Sequence, residues 1–319
     1  MARNFKPEKV LKKPVILCFA AMICCALWGS AFPFIKIGYE LFDINAGDTP
    51  TQLLFAGIRF ALAGVLVIIF GSLFSRKVLI PRRENLSRVC LLALFQTILQ
   101  YTFFYIGLAH TTGTKSSVIN STSVFFAVII SCLLRQEKLD LKKMIGCIVG
   151  FAGTVIINLA GSSVDGRMSF SGEGMILLSS ISYAVSSVLI KRFSQNENTV
   201  TLSGYQFTLG GAVMIVFGLV TGGRLNFGIG IKGVLLLLYL AFLSAAAFTL
   251  WGILLKYNDV SRVAVFGFMT PVFGCIFSAV FLDENLADSG IRTVTALLLV
   301  CIGIIIVHYK KKVKGDYND

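Results

Sequence analysis

Long stretches without a single charged side chain constrain this sequence more than any other feature. Val15–Ile35, Val89–Ala109, Ser116–Leu134, Met144–Val164, Gly233–Leu255 and Val263–Leu282 each run about 19–23 residues without Asp, Glu, Lys or Arg. An α-helix rises about 1.5 Å per residue, so about 20 apolar residues cross a hydrocarbon core of about 30 Å. Only 14% of the residues are charged, against roughly a quarter in a soluble domain. The fold class expected is an all-α polytopic membrane protein. Lys12 and Lys13 give the first run the flank of a signal sequence. The run is too long for a signal core, however, and many more follow it.

Ten spans are expected, at roughly 15–38, 51–74, 88–108, 114–134, 141–161, 172–193, 199–221, 233–255, 262–282 and 290–308. They divide the chain into a tail (1–14), a first five-helix repeat (15–161), a second (162–308) and a C-terminal tail (309–319). With the N-terminus inside, the inner segments hold 22 Lys and Arg and the outer loops 5. Cytoplasmic loops carry the excess of Lys and Arg, so both termini are expected in the cytoplasm of a cell-membrane protein. The net charge of +13 is then an orientation signal rather than a footprint for nucleic acid. The eight cysteines lie within or at the edges of apolar runs, and the only histidines are His110 and His308. No metal site or cofactor is expected from that set. The partners expected are a lipid bilayer and a small-molecule substrate.

The halves echo each other. Trp28–Lys36 (WGSAFPFIK) returns 155 positions later as Tyr183–Lys191 (YAVSSVLIK). Ile58–Gly64 (IRFALAG) matches Tyr205–Gly211 (YQFTLGG) at an offset of 147, as Arg135–Leu139 (RQEKL) matches Leu282–Leu286 (LDENL). Gly150–Ile157 matches Val300–Val307 at an offset of 150. Each match is weak, but their shared order and near-constant offset are not. Five spans per half is an odd number, so the second half enters the membrane inverted. Inverted repeats suit alternating access, because two similar halves can exchange conformations.

Five-plus-five inverted helices, the WGSAF-type first helix and a glutamate closing spans 4 and 9 resemble the drug/metabolite transporter superfamily, in its ten-helix EamA-type branch. Met269–Leu286 (MTPVFGCIFSAVFLDENL) carries the resemblance best. It implies a central cavity between the halves and export or exchange of small metabolites such as amino acids. Where the second half has Pro271 the first has Val124, so span 4 is expected to bend less than span 9.

Candidate site residues follow from polarity, depth and symmetry, each beside a plainer structural role. Lys36 and Lys191 close spans 1 and 6 and could simply snorkel to the headgroups. The repeat suggests instead two ion pairs, Lys36–Glu284 outside and Glu137–Lys191 inside. Arg59 lies within span 2, where a charge is costly and reads as functional by default. It could pair with Asp43 or Asp48 or attract an anionic substrate group. Gln96, Gln100 and Tyr101 on span 3, with Ser117, Asn120 and Ser121 on span 4, either bond between helices or line a polar cavity. Ser187 and Thr270 join them. Trp28, Phe32 and Tyr183 are packing residues or apolar walls of a pocket. Pro271 frees the carbonyl of Gly267 and should kink span 9, as a hinge or a static bend. Gly146 and Gly150 form a GxxxG that suits close helix contact.

No Asp or Glu lies deep in an expected span, so facilitated export or exchange is favoured over proton coupling. The rival readings are an intramembrane enzyme acting on a lipid or peptide, and a membrane sensor or scaffold. The enzyme would need paired catalytic groups such as HExxH or two membrane aspartates, which the sequence lacks. The sensor would need a soluble input or output domain. Solute transport without enzymatic activity is the expectation that remains.

Overall fold

The computed structural model describes residues 7–45, 47–111, 113–138, 140–158, 169–226, 230–281 and 290–309. Among these every regular element is helical. After a short helix, Pro7–Leu11, ten segments follow. They are α1 (Pro14–Leu41), α2 (Thr49–Ser75), α3 (Arg83–Ala109), α4 (Gly113–Ser121 and Ser123–Leu133) and α5 (Leu141–Asn158). The second set is α6 (Phe170–Phe193), α7 (Thr199–Val220), α8 (Gly230–Tyr257), α9 (Val260–Phe281) and α10 (Gly290–His308). Eight of the described helices are long and apolar enough to cross a membrane; α5 and α10 are the other two segments, and they pack on each other. Val65, Ile69 and Leu73 of α2 and Val213, Val216 and Val220 of α7 stay exposed, as a lipid-facing surface requires.

Local chemistry sets the ends. Pro14 and Pro50 occupy first-turn positions, where a missing N–H costs nothing. Asp48 caps α2 by accepting from the Thr51 N–H at 3.1 Å, and Asn198 caps α7 by accepting from Val200 at 2.8 Å. Arg76 ends α2 in the left-handed region, φ 52°.

The largest helix contacts map onto one another when segment n is exchanged with segment n+5. The first helix packs on α8 and α9, while α6 packs on α3 and α4; α2 meets α7 and α5 meets α10. Small residues make the self-paired contacts close. A Cβ on Gly57 would lie 2.7 Å from the Ile215 nitrogen, and one on Gly204 2.7 Å from Ile68. The GxxxG of α5 does the same against α10, where a Cβ on Gly146 would lie 2.7 Å from the Gly303 carbonyl.

The turns segregate by parity. At one end Glu197, between α6 and α7, accepts from Asn85 Nδ2 at 2.7 Å, and Glu137, between α4 and α5, accepts from Ser261. At the other end the Arg224 N–H reaches Thr51 Oγ1 at 3.0 Å and Thr111 Oγ1 donates to Glu173 at 2.6 Å. Alternate crossing of ten segments produces this separation.

The expected kink at Pro271 falls where α9 changes from α-helix through a 3₁₀ turn, Val265–Phe268, to a second α-helix from Met269. Span 4 was expected to be the straighter of the pair, yet α4 is interrupted at Thr122, the counterpart of Met269 at the same offset of 147. Hydroxyls replace the proline there. Thr122 Oγ1 donates to the Ile119 carbonyl and Ser121 Oγ to the Ser117 carbonyl at 2.9 Å, a competition that bends helices.

Candidate functional site

Two groups of residues stand out, one central and one at the end where the even-numbered turns meet. The central group is aromatic and obeys the two-fold exchange. Phe60 of α2 stacks on Phe207 of α7, centroids 5.5 Å apart and planes within 10°, and these two are counterparts at offset 147. Phe60 touches Tyr101 at 4.4 Å, and Phe207 touches Phe248, the counterpart of Tyr101, at 5.1 Å. Trp28 lies against Phe248 at 5.0 Å, Trp251 at 4.9 Å and Tyr183 at 6.5 Å. Trp28 and Tyr183, read from the sequence as packing residues or pocket walls, pack ring against ring between the halves.

Phe32 departs from that expectation. It is 47% exposed and lies along α9, where a Cβ on Gly274 would come within 3.1 Å of its ring. The amides fit better. Gln96 is buried in a π-helical stretch of α3, Ala93–Leu99, a distortion common at functional sites. The Gln100 Oε1 atom is buried with no hydrogen-bond partner. The hydroxyls are mostly satisfied at home: Ser187 Oγ donates to the Tyr183 carbonyl at 2.9 Å and Ser121 to Ser117 within α4. Asn120, Ser117 and Thr270 are partly buried and lie on α4 and α9.

Arg59 borders the aromatic group and breaks its symmetry. It is 3% exposed, its guanidinium carbon sits 4.5 Å over the Phe60 ring and 5.9 Å from that of Tyr101, and its Nε and Nη1 have no hydrogen-bond partner. Neither acid considered from the sequence reaches it. Asp48 is engaged as the cap of α2, and Asp43 is exposed in a left-handed turn, φ 54°. Burying an ion costs several kcal/mol, while each cation–π contact returns about 0.5–2 kcal/mol. The rings offset only part of that cost. Its counterpart is the neutral Gln206, which accepts from Thr97 Oγ1 at 2.8 Å. The fold thus takes an uncharged residue at this place in one half and a cation in the other.

The second group is ionic. Glu137 accepts from Lys143 Nζ at 2.7 Å, Ser131 Oγ at 2.7 Å, the Ser261 N–H at 3.1 Å and the Ser261 hydroxyl. Asp259, opening α9, lies 3.7 Å from Lys143, 3.9 Å from Lys191 and 3.7 Å from Arg262. Burial works against the charge of Glu137, but hydrogen bonds from Lys143, Ser261 and Ser131 outweigh it and hold its carboxyl below the usual range. The direct Glu137–Lys191 pair expected from the repeat is not formed. Lys143, six residues on in the first turn of α5, reaches Glu137, and Asp259 takes Lys191. The corresponding pair at the other end falls on Glu284, which lies outside the described residues; Lys36 is exposed near the end of α1.

The comparisons with known proteins decide the family. Residues 15–159 and 170–309 each match the EamA-like transporter family. The chain belongs to that family. The two EamA matches together span both halves of the two-fold contact pattern. An uncharacterized transporter of Archaeoglobus fulgidus is 29% identical over 279 residues, covering 86% of this chain and 93% of its own. The uncharacterized transporter YvbV of Bacillus subtilis is 28% identical over 294 residues, covering 90% and 89%. A crystal structure of 18% sequence identity superposes with a TM-score of 0.76, covering 92% of this chain and 96% of that one, which establishes the shared fold. As an EamA-family chain with apolar helices facing outward, this is a multi-pass membrane protein.

Reading the sequence alone missed Lys143, Ser131, Asp259 and Ser261, because turn residues far apart in sequence carry no shared pattern. It also missed Phe60, Phe248 and Gln206, although the offset of 147 that pairs Phe60 with Phe207 was available. Glu173 was missed too: it is 4% exposed in the first turn of α6, held by Thr111 and Ser169.

Proposed function

We propose that the chain exports or exchanges small metabolites, amino acids and related compounds foremost, by alternating access between its two halves. The carrying observation is that the largest helix contacts exchange between the halves while smaller ones, such as α6 with α8, are made far more by one half than by the other among the described residues. A bundle of that kind has a second arrangement, in which the contacts made by one half alone pass to the other. The ionic group around Glu137 and Asp259 supports a closed gate at the end of the even-numbered turns, and the packed rings a closed centre. Lys36 and Glu284 take the corresponding place at the opposite end in this reading. The even-numbered turns carry most of the Lys and Arg, which favours a cytoplasmic gate, cytoplasmic termini and residence in the cell membrane.

The test is uptake of radiolabelled metabolites into inverted membrane vesicles, run with and without a pH gradient. The reading expects at least one solute to move down its own gradient with the pH gradient collapsed. Movement of no solute under either condition would sink it, and uphill movement driven by the pH gradient would replace facilitated exchange with proton coupling. Reporter fusions at the two termini check the orientation, both being expected on the cytoplasmic side.

A further inference from the structure

We propose that Arg59 is the anchor for the carboxylate of the transported solute, a small monocarboxylate with an apolar body; this rests on the transport reading above. Three observations carry it. Arg59 is 3% exposed, with two of its three guanidinium nitrogens buried and unpartnered. Among the described residues it makes no ion pair and lies against two rings, Phe60 and Tyr101. Its counterpart Gln206 is neutral, so packing at this position does not demand a cation.

A carboxylate fits this set as few groups do. It supplies the missing counter-charge and accepts from the guanidinium nitrogens that lack partners. The rings beside it give an apolar body a surface to lie on. A single cation placed off the two-fold also orients the solute, because the other half offers an amide in its place. Chloride shares the charge without the apolar body, so it is the one competing source of the same chemistry.

The chain has two tryptophans, Trp28 and Trp251, and both lie in the adjoining aromatic group. Their fluorescence therefore reports on occupancy. The purified full-length protein would be titrated in chloride-free buffer with hexanoate and 3-phenylpropanoate, with the matching primary amides, and with sodium chloride. The expected result is saturable change with the carboxylates and none with the amides at equal concentration. Arg59→Gln should weaken the carboxylate response at least tenfold, with Arg59→Lys in between as the variant that keeps the charge should Arg59→Gln fold poorly. Equal response to amides, a response to chloride alone, or wild-type affinity in Arg59→Gln would each overturn the proposal. The same solutes in proteoliposomes separate it from the transport reading. Arg59-dependent binding without movement removes transport and keeps the site. Transport whose KM is unchanged in Arg59→Gln removes the site and keeps transport.

Discussion

At the scale of single residues, Glu137 is the group whose charge the structure uses most fully. Its four donors come from three places in the chain: Ser131 on α4, Lys143 on α5 and Ser261 on α9. Glu137→Gln keeps the shape but leaves Lys143 without its nearest anion in a nearly closed site. Breaking one partner out of a buried pair costs about 3 kcal/mol, so the variant should unfold at clearly lower temperature in a detergent melt. The pH dependence has a fixed sign. The folded carboxyl titrates below its ordinary value of 4.5, so its contribution is complete above that value and is lost as pH falls through the folded pKa. Melting temperature should therefore decline more steeply below about pH 4.5 in the wild type than in Glu137→Gln, and parallel curves would argue against the assignment. The sequence made Glu137 legible as an ion-pair candidate through its match with Glu284. It could not show the partner, because Lys143 and Lys191 are equally basic and only the turn geometry chooses between them.

At the scale of elements, the contact between α2 and α7 is the most demanding in the bundle. Gly57, Gly64 and Gly211 let two backbones approach until an added Cβ would strike main-chain atoms; at Gly218 the nearest, the Leu54 nitrogen, is 2.8 Å away. A main-chain clash cannot be relieved by a rotamer change, and overpacking of this kind costs about 1–3 kcal/mol or more. Gly64→Val should lower the yield of monodisperse protein in size-exclusion chromatography. Val216→Ala, on the exposed face of α7, should not. The elements were the most legible part of the chain: uninterrupted apolar runs placed the spans, and each lies within a few residues of its observed helix. What the sequence obscured were interruptions inside helices. Pro271 announces itself, whereas Thr122 breaks α4 through hydroxyls of an ordinary kind, and the π-helical stretch of α3 has no residue that marks it. Thr122 and Met269 stand at matched positions of the repeat, so both halves interrupt this helix at one level with different chemistry.

At the scale of the whole molecule, the ionic group at one end and the pseudo-symmetry between the halves make a joint demand. If the ionic group is a gate, removing its ties must favour the alternative arrangement without abolishing folding. Asp259 is the residue to change, because it links Lys143, Lys191 and Arg262 across α5, α6 and α9 and is itself 42% exposed. Half-exposed ties of this sort are each worth about 0–1 kcal/mol, too little to unfold the bundle. Two or three together amount to about 1.4 kcal/mol, which moves a two-state population about tenfold. A native probe sits beside them. Cys147 is fully buried on α5 and within the field of Glu137, whereas Cys18 is exposed at the start of α1. Alkylation by a maleimide, mapped by mass spectrometry, should be slow at Cys147 in the wild type and several-fold faster in Asp259→Asn, with Cys18 labelled at the same rate in both. Acceleration at both cysteines would signal general loosening, and no change at Cys147 would mean that the network is structural. Selective exposure of Cys147, paired with a change in the transport rate of the same variant, would tie the ion pairs to the exchange of states.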